Sequence, residues 1–138
     1  MNPLQIYQQQ QDISLTRIDL LLALYDKAIG HLAQAQQVLE QQDYATATPL
    51  LLQAQLIVYA LATGVDTQYG ELPRNMLRLY EFVLYCLGCA EAEKVRDALR
   101  LLLILREGFG EIQQPARNLE LSGKIPPVKS LPALRLSA

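Results

Sequence analysis

Leu20-Leu21-Leu22-Ala23-Leu24-Tyr25-Asp26-Lys27-Ala28-Ile29-Gly30-His31-Leu32 is the stretch on which the fold turns. A helix packed against a single core needs an apolar stripe of about three positions in seven, with polar residues opposite. This stretch carries more than that. Leu21, Leu24, Ala28, Leu32, Ala35 and Leu39 form one row at helical spacing, and Leu22, Tyr25, Ile29 and Leu32 or Ala33 form a second row beside it. Two rows need two partners. Either the helix lies deep inside a bundle, or one row is kept for a molecule outside the resting fold.

The totals narrow the setting. A chain of 138 residues suits one domain large enough to stand without metal or disulfide staples. Hydrophobic residues make up 51% and charged residues 19%, so apolar surface is in excess for a globular domain. The net charge of −2, with 12 basic residues spread along the chain, offers no basic stripe for a phosphate backbone, which speaks against nucleic acid. Gln53, Gln55 and Arg100 interrupt the richest apolar segments, so no membrane insertion is expected. The glutamine run Gln8 to Gln11 does not read as a secretory signal, and the expected location is the cytoplasm.

Outward from the opening stretch, the sequence predicts an all-α protein, an antiparallel four-helix bundle over residues 14–112. A short N-terminal arm precedes it over 1–13, and an irregular proline-containing tail follows over 113–138. Thr16-Arg17-Ile18-Asp19 has the form of a capping box, predicting a first helix from about Arg17 to Gln41. Asp43 is a cap for the second helix, which keeps Pro49 inside it as a kink and ends near Thr63-Gly64. Leu72-Pro73 predicts a third helix from Pro73 to Leu87, broken at Gly88-Cys89-Ala90. The fourth runs from about Glu91 to Phe109, with Val95, Leu99, Leu102, Leu103 and Arg106 inward. From Pro115 on, prolines forbid helix but leave Leu119, Leu121, Ile125, Val128, Leu131 and Leu134 without an evident cover.

The chemistry-bearing residues are few. Cys86 and Cys89 are spaced for a redox pair or half of a zinc site, but zinc needs four ligands and the only histidine, His31, is remote, so structural thiols are expected and no metal. Asp26 and Glu81 occupy equivalent places in an internal echo, Leu22-Ala23-Leu24-Tyr25-Asp26 against Leu77-Arg78-Leu79-Tyr80-Glu81. Paired carboxylates can serve acid–base catalysis, although solvated or ion-paired roles are the common ones. With no phosphate loop, dinucleotide fingerprint or nucleophile elbow, no enzyme, no catalytic residue and no cofactor are expected. The remaining resource is apolar helix surface, suited to a partner helix in a groove.

Several spaced residues resemble one family. Tyr7, a Ser14-to-Thr16 helix start, Leu20-x-Leu22-x-Leu24-Tyr25-Asp26-x-Ala28-Ile29, Asp43-Tyr44, Gln53-Ala54-Gln55, Asp66-x-x-Tyr69-Gly70 and Leu79-Tyr80-Glu81-Phe82 occur in the order and spacing of the flagellar secretion chaperones, the FliS family. The resemblance runs from Tyr7 to about Ile112. It implies a cytosolic export chaperone of flagellum biogenesis and its type III secretion system. Such a chaperone binds the disordered C-terminal segment of flagellin, blocks premature polymerisation and supports secretion, with export-apparatus components as further partners. A non-enzymatic helical-bundle adaptor for another amphipathic partner is the alternative.

On this reading the flagellin groove is expected among Leu21, Leu24, Tyr25, Ile57, Leu61, Leu79, Tyr80 and Val83. Leu4, Ile6 and Tyr7 of the N-terminal arm are expected to pack over part of it when the partner is absent.

Overall fold

A computed structural model describes residues 15–123. Thr16 opens the first helix, α1 (Arg17–Glu40), through the expected reciprocal cap. Its hydroxyl accepts from the Asp19 N–H at 3.4 Å, and the Asp19 carboxylate accepts from the Thr16 N–H at 3.2 Å. Two N–H groups that the helix cannot satisfy internally thereby find partners. Asp43 caps α2 (Tyr44–Thr63) by accepting from the Thr46 N–H at 3.1 Å. Pro49 lies inside α2 as expected, and the Thr48 hydroxyl donates to the Tyr44 carbonyl in the turn before it.

A short 3-10 turn (Thr67–Tyr69), capped by Asp66, leads to Gly70, whose φ of 110° is a conformation glycine adopts without a Cβ penalty. The next helix, α3 (Glu71–Cys89), starts two residues before the expected Pro73. Proline is tolerated there because the first N–H groups of a helix are unpaired in any case. At the other end α3 runs through Gly88 and Cys89 and stops only at Ala90, which takes a left-handed φ of 53°. Then come α4 (Ala92–Glu111) and α5 (Gln113–Leu121).

The four long helices form the all-α antiparallel bundle in up-down-up-down order. α1 packs on α2 and α4, and α3 closes the ring between them. The short α5 packs on α1. This corrects the expected irregular tail for its first nine residues: Pro115 sits in the first turn of α5, where its missing N–H costs nothing.

The core is built from Leu24, Tyr25, Ala28, Leu32, Ala35 and Leu39 of α1, Ala47, Leu51, Ala54, Ile57, Val58 and Leu61 of α2, and Tyr80, Val83, Cys86 and Leu87 of α3, closed by Val95, Ala98 and Leu102 of α4. Leu103, expected inward, faces solvent, and Ala98 takes its place. Ile18, Leu20 and Leu22 are buried as well, so α1 is covered on both its rows and has three helical partners. The first of the two readings of the opening stretch therefore holds: α1 is the central helix. By length and composition, α2 is long and apolar enough to cross a membrane; Gln53 and Gln55 interrupt it less than expected. Here its inner side is part of the bundle core.

Candidate functional site

Six of the expected groove residues, Leu24, Tyr25, Ile57, Leu61, Tyr80 and Val83, are buried and belong to the core cluster. In the resting fold these side chains are turned into the core, at 9% exposure or less. Leu21 and Leu79 are half-buried and are the two that remain within reach. Leu4, Ile6 and Tyr7 lie outside the described residues.

The open apolar surface lies elsewhere. At 100° per residue, Thr48, Leu52, Gln55, Leu56, Tyr59 and Thr63 share the outer side of α2. Leu52 is 54% exposed, Leu56 43% and Tyr59 57%, with Tyr44 exposed at the start of the same helix. From Tyr44 to Thr63 the sequence holds no charged residue, so this face offers only apolar, hydroxyl and amide groups. Gln55 lies beside Gly88 of α3, where an added Cβ would sit 3.9 Å from its amide nitrogen. The exposed Tyr85, one turn back along α3, therefore stands on the border of the α2 stripe, and Phe82 follows it on the same helix. An uncharged stripe bordered by aromatics suits the apolar side of another helix.

Sequence periodicity could not single out this stripe, because α2 is apolar nearly all round. The absence of charge between Tyr44 and Thr63 was the one available signal.

The echoed tyrosines meet. The Tyr25 and Tyr80 hydroxyls are 2.7 Å apart in the core, and Tyr25 also packs against Phe109 with ring centroids 5.7 Å apart. Burial pushes both phenols above their ordinary range; Tyr80 raises Tyr25 further, whereas the hydrogen bond to Tyr25 partly offsets the rise of Tyr80. These are structural groups. Asp26, beside Tyr25, faces outward and accepts from Arg106 Nε at 2.8 Å and Nη2 at 3.2 Å. Its echo partner Glu81 is exposed on α3, so the two carboxylates do not converge.

Cys86 is buried and Cys89 half-buried, and both thiols are free. Burial pushes the Cys86 thiol up, away from the reactive thiolate. Among the described residues no group of three or more His, Cys, Asp or Glu is placed to hold a metal ion. His31 is half-buried with its Nε2 unpartnered, and burial together with Lys27 holds its pKa below the ordinary value.

A polar seam joins α1 to the α4–α5 rod. Asp26 and Asp19 lie two turns apart on one side of α1, and Arg106, Gln113, Arg117 and Glu120 fall on one side of the opposing pair. Asp26 takes Arg106, as above. Asp19 accepts from Gln113 Nε2 at 3.0 Å and from Arg117 Nη1. The Glu120 carboxylate accepts from the backbone N–H of Arg17 at 3.2 Å, a negative charge at the positive end of α1. Burial alone would raise the Asp19 carboxyl, but the bonds from Gln113 and Thr16 and the charge of Arg117 outweigh it and hold the group below its usual value.

Among protein families, the chain matches the model described as flagellar protein FliS over residues 1–116. No curated protein matches it.

Proposed function

The chain belongs to the flagellar protein FliS family, which makes it a flagellar chaperone, and from that membership we propose that its cargo is the disordered C-terminal segment of flagellin. The chaperone takes the segment in the cytoplasm and lays the apolar side of its helices against the outer face of α2. That cover prevents flagellin from polymerising before secretion, and the loaded chaperone then serves the export apparatus. The single observation that supports this reading is the uncharged stripe of Leu52, Leu56 and Tyr59, exposed on a helix whose other side is core.

The energetics fit a long, wrapped ligand. Ordering a disordered segment takes about 2–5 kcal/mol out of the gross interaction, so a stable complex must bury on the order of 1,000–3,000 Å². One helix face does not supply that area. Tyr85 and Phe82 on α3, with Leu79 further along it, extend the apolar surface beyond α2.

Calorimetry with the flagellin C-terminal segment tests the assignment. Replacing both Leu52 and Leu56 with Gln, a good helix former, removes apolar contact while leaving the core untouched. Two anchors at about 1–2 kcal/mol each predict a loss of roughly 30-fold or more in affinity. The melting temperature should stay within about 2 °C, since exposed substitutions change stability by no more than about 0.5 kcal/mol. Unchanged affinity in this variant would move the cargo off α2, and no binding by the parent chain would remove flagellin as the cargo.

A further inference from the structure

The outer side of α4 carries a charge pattern that a lone chain leaves unused. At 100° per residue, Arg96, Arg100, Leu103, Ile104, Glu107 and Glu111 share the side turned away from the core residues Val95, Ala98 and Leu102. All six are exposed, Leu103 at 48% and Ile104 at 60%. The two arginines stand in the first half of the helix, the two aliphatic residues in the middle and the two glutamates at the far end. Among the described residues, none of these four charges takes part in an ion pair.

This order is unfavourable inside one helix. Arg96 with Arg100, and Glu107 with Glu111, are like charges four residues apart, which repel along a helix face. Glu107 and Glu111 also lie at the end of α4 where the helix dipole is negative, and the last turn holds no basic residue to offset them. Glu93, on the same side, is by contrast in the first turn, where a negative charge suits the dipole.

The same order becomes complementary when it is turned end for end. A two-fold axis passing between Leu103 and Ile104 sets a second α4 antiparallel to the first, with Arg100 opposite Glu107, Arg96 opposite Glu111 and Leu103 opposite Ile104. Symmetry repeats each charge pair, so four attractions flank an aliphatic centre. The arginine end of each helix then neutralises the glutamate end of the other, and the two helix dipoles oppose. At an ordinary interaxial distance of about 8–10 Å, arginine and glutamate side chains span the gap. An unrelated helix would have to reproduce this sequence of charges, whereas a second copy carries it by construction.

We propose that the outer side of α4 is a self-complementary interface that pairs two copies of this chain antiparallel, with Leu103 and Ile104 at its centre and the Arg96, Arg100, Glu107 and Glu111 pairs around them. One helix side against another buries less than about 1,200 Å² in total, which is the size of weak and reversible contacts. The pairing is therefore concentration- and salt-dependent. α2 and α4 make no contact and lie diagonally across the bundle, so the pair leaves the outer face of α2 uncovered. The inference does not rest on the cargo assigned to that face.

Sedimentation velocity of the full chain over a concentration series tests the pairing. The parent chain should pass from monomer to dimer with a Kd between about 1 μM and 1 mM, and raising the salt from about 0.05 M to about 0.5 M should weaken it several-fold. Arg96→Glu with Arg100→Glu in one variant, and Glu107→Arg with Glu111→Arg in another, should each weaken self-association at least about tenfold, because all four attractions become repulsions. An equal mixture of the two variants should recover the dimer, since every charge meets its opposite again. A chain carrying all four reversals should also pair as the parent does, which keeps the test valid if one of the double variants misfolds. A parent chain that stays monomeric to about 1 mM, a dimer indifferent to both reversals, or a loss recovered neither by mixing nor in the fourfold variant would overturn the proposal.

Discussion

Tyr80→Phe isolates a contact between residues 55 positions apart. The Tyr25 and Tyr80 hydroxyls are hydrogen-bonded at 2.7 Å, and the two residues are 0% and 2% exposed. Removing one hydroxyl leaves the other buried without a partner, which costs about 1–3 kcal/mol, and Tyr25→Phe should cost the same. Removing both hydroxyls takes away the bond and the stranded group together, so the double variant should lose only about 0.5–1.5 kcal/mol. The two single losses therefore sum to more than the double loss, by about 1.5–4.5 kcal/mol in a double-mutant cycle. Urea denaturation followed by circular dichroism measures all four proteins, and an unchanged urea slope would show that the unfolded state is the same throughout. For a domain of this size each single variant should melt about 3–12 °C lower. Strictly additive losses, or single variants as stable as the parent, would refute the view that the pair is satisfied only by itself.

Acid titration should reveal the α1–α5 seam. The Asp19 carboxyl is held below its unfolded value of about 3.9, so its contribution is complete above that pH and is lost as pH falls through the lower folded value; Asp19→Asn should flatten this limb of the stability curve and cost about 1–2 kcal/mol at neutral pH. His31 has its folded pKa lowered, so the unfolded chain binds the proton more readily and stability should fall as pH drops below about 6.5; His31→Gln should remove that slope in chemical denaturation at pH 5 to 7. Gly30 lies inside α1 with nothing within 4 Å of an added Cβ, so Gly30→Ala should raise stability by about 0.5–1 kcal/mol in the same assay.

Local signals in the sequence carried the frame of the fold. The Thr16 and Asp19 capping box, the Asp43 cap and the helix that continues through Pro49 all stand where the residues place them, because a cap concerns only neighbours within a turn. Signals that depend on distant partners did not. The fifth helix was illegible because Gln113-Gln114-Pro115 reads as a break, while what holds α5 is Asp19 and the N–H of Arg17, about 100 residues earlier. Leu103 and Ala98 exchanged sides for the same reason: which apolar residue of α4 turns inward depends on where α1 and α3 lie.

The sequence alone determined that the chain is helical, where the capped starts of its first two helices lie, and which residues of each helix share a side, since all three follow from spacing along the chain and hydrogen bonds within a turn. It also marked Tyr25 and Tyr80 as equivalent. Only the tertiary structure decided that these two meet, that α1 is buried on both rows, and that α2 is the helix with a side to spare. The reason is geometric. An apolar row states what a helix can bury, and only the number of neighbours around it fixes what it does bury; α1 has three and α2 has two.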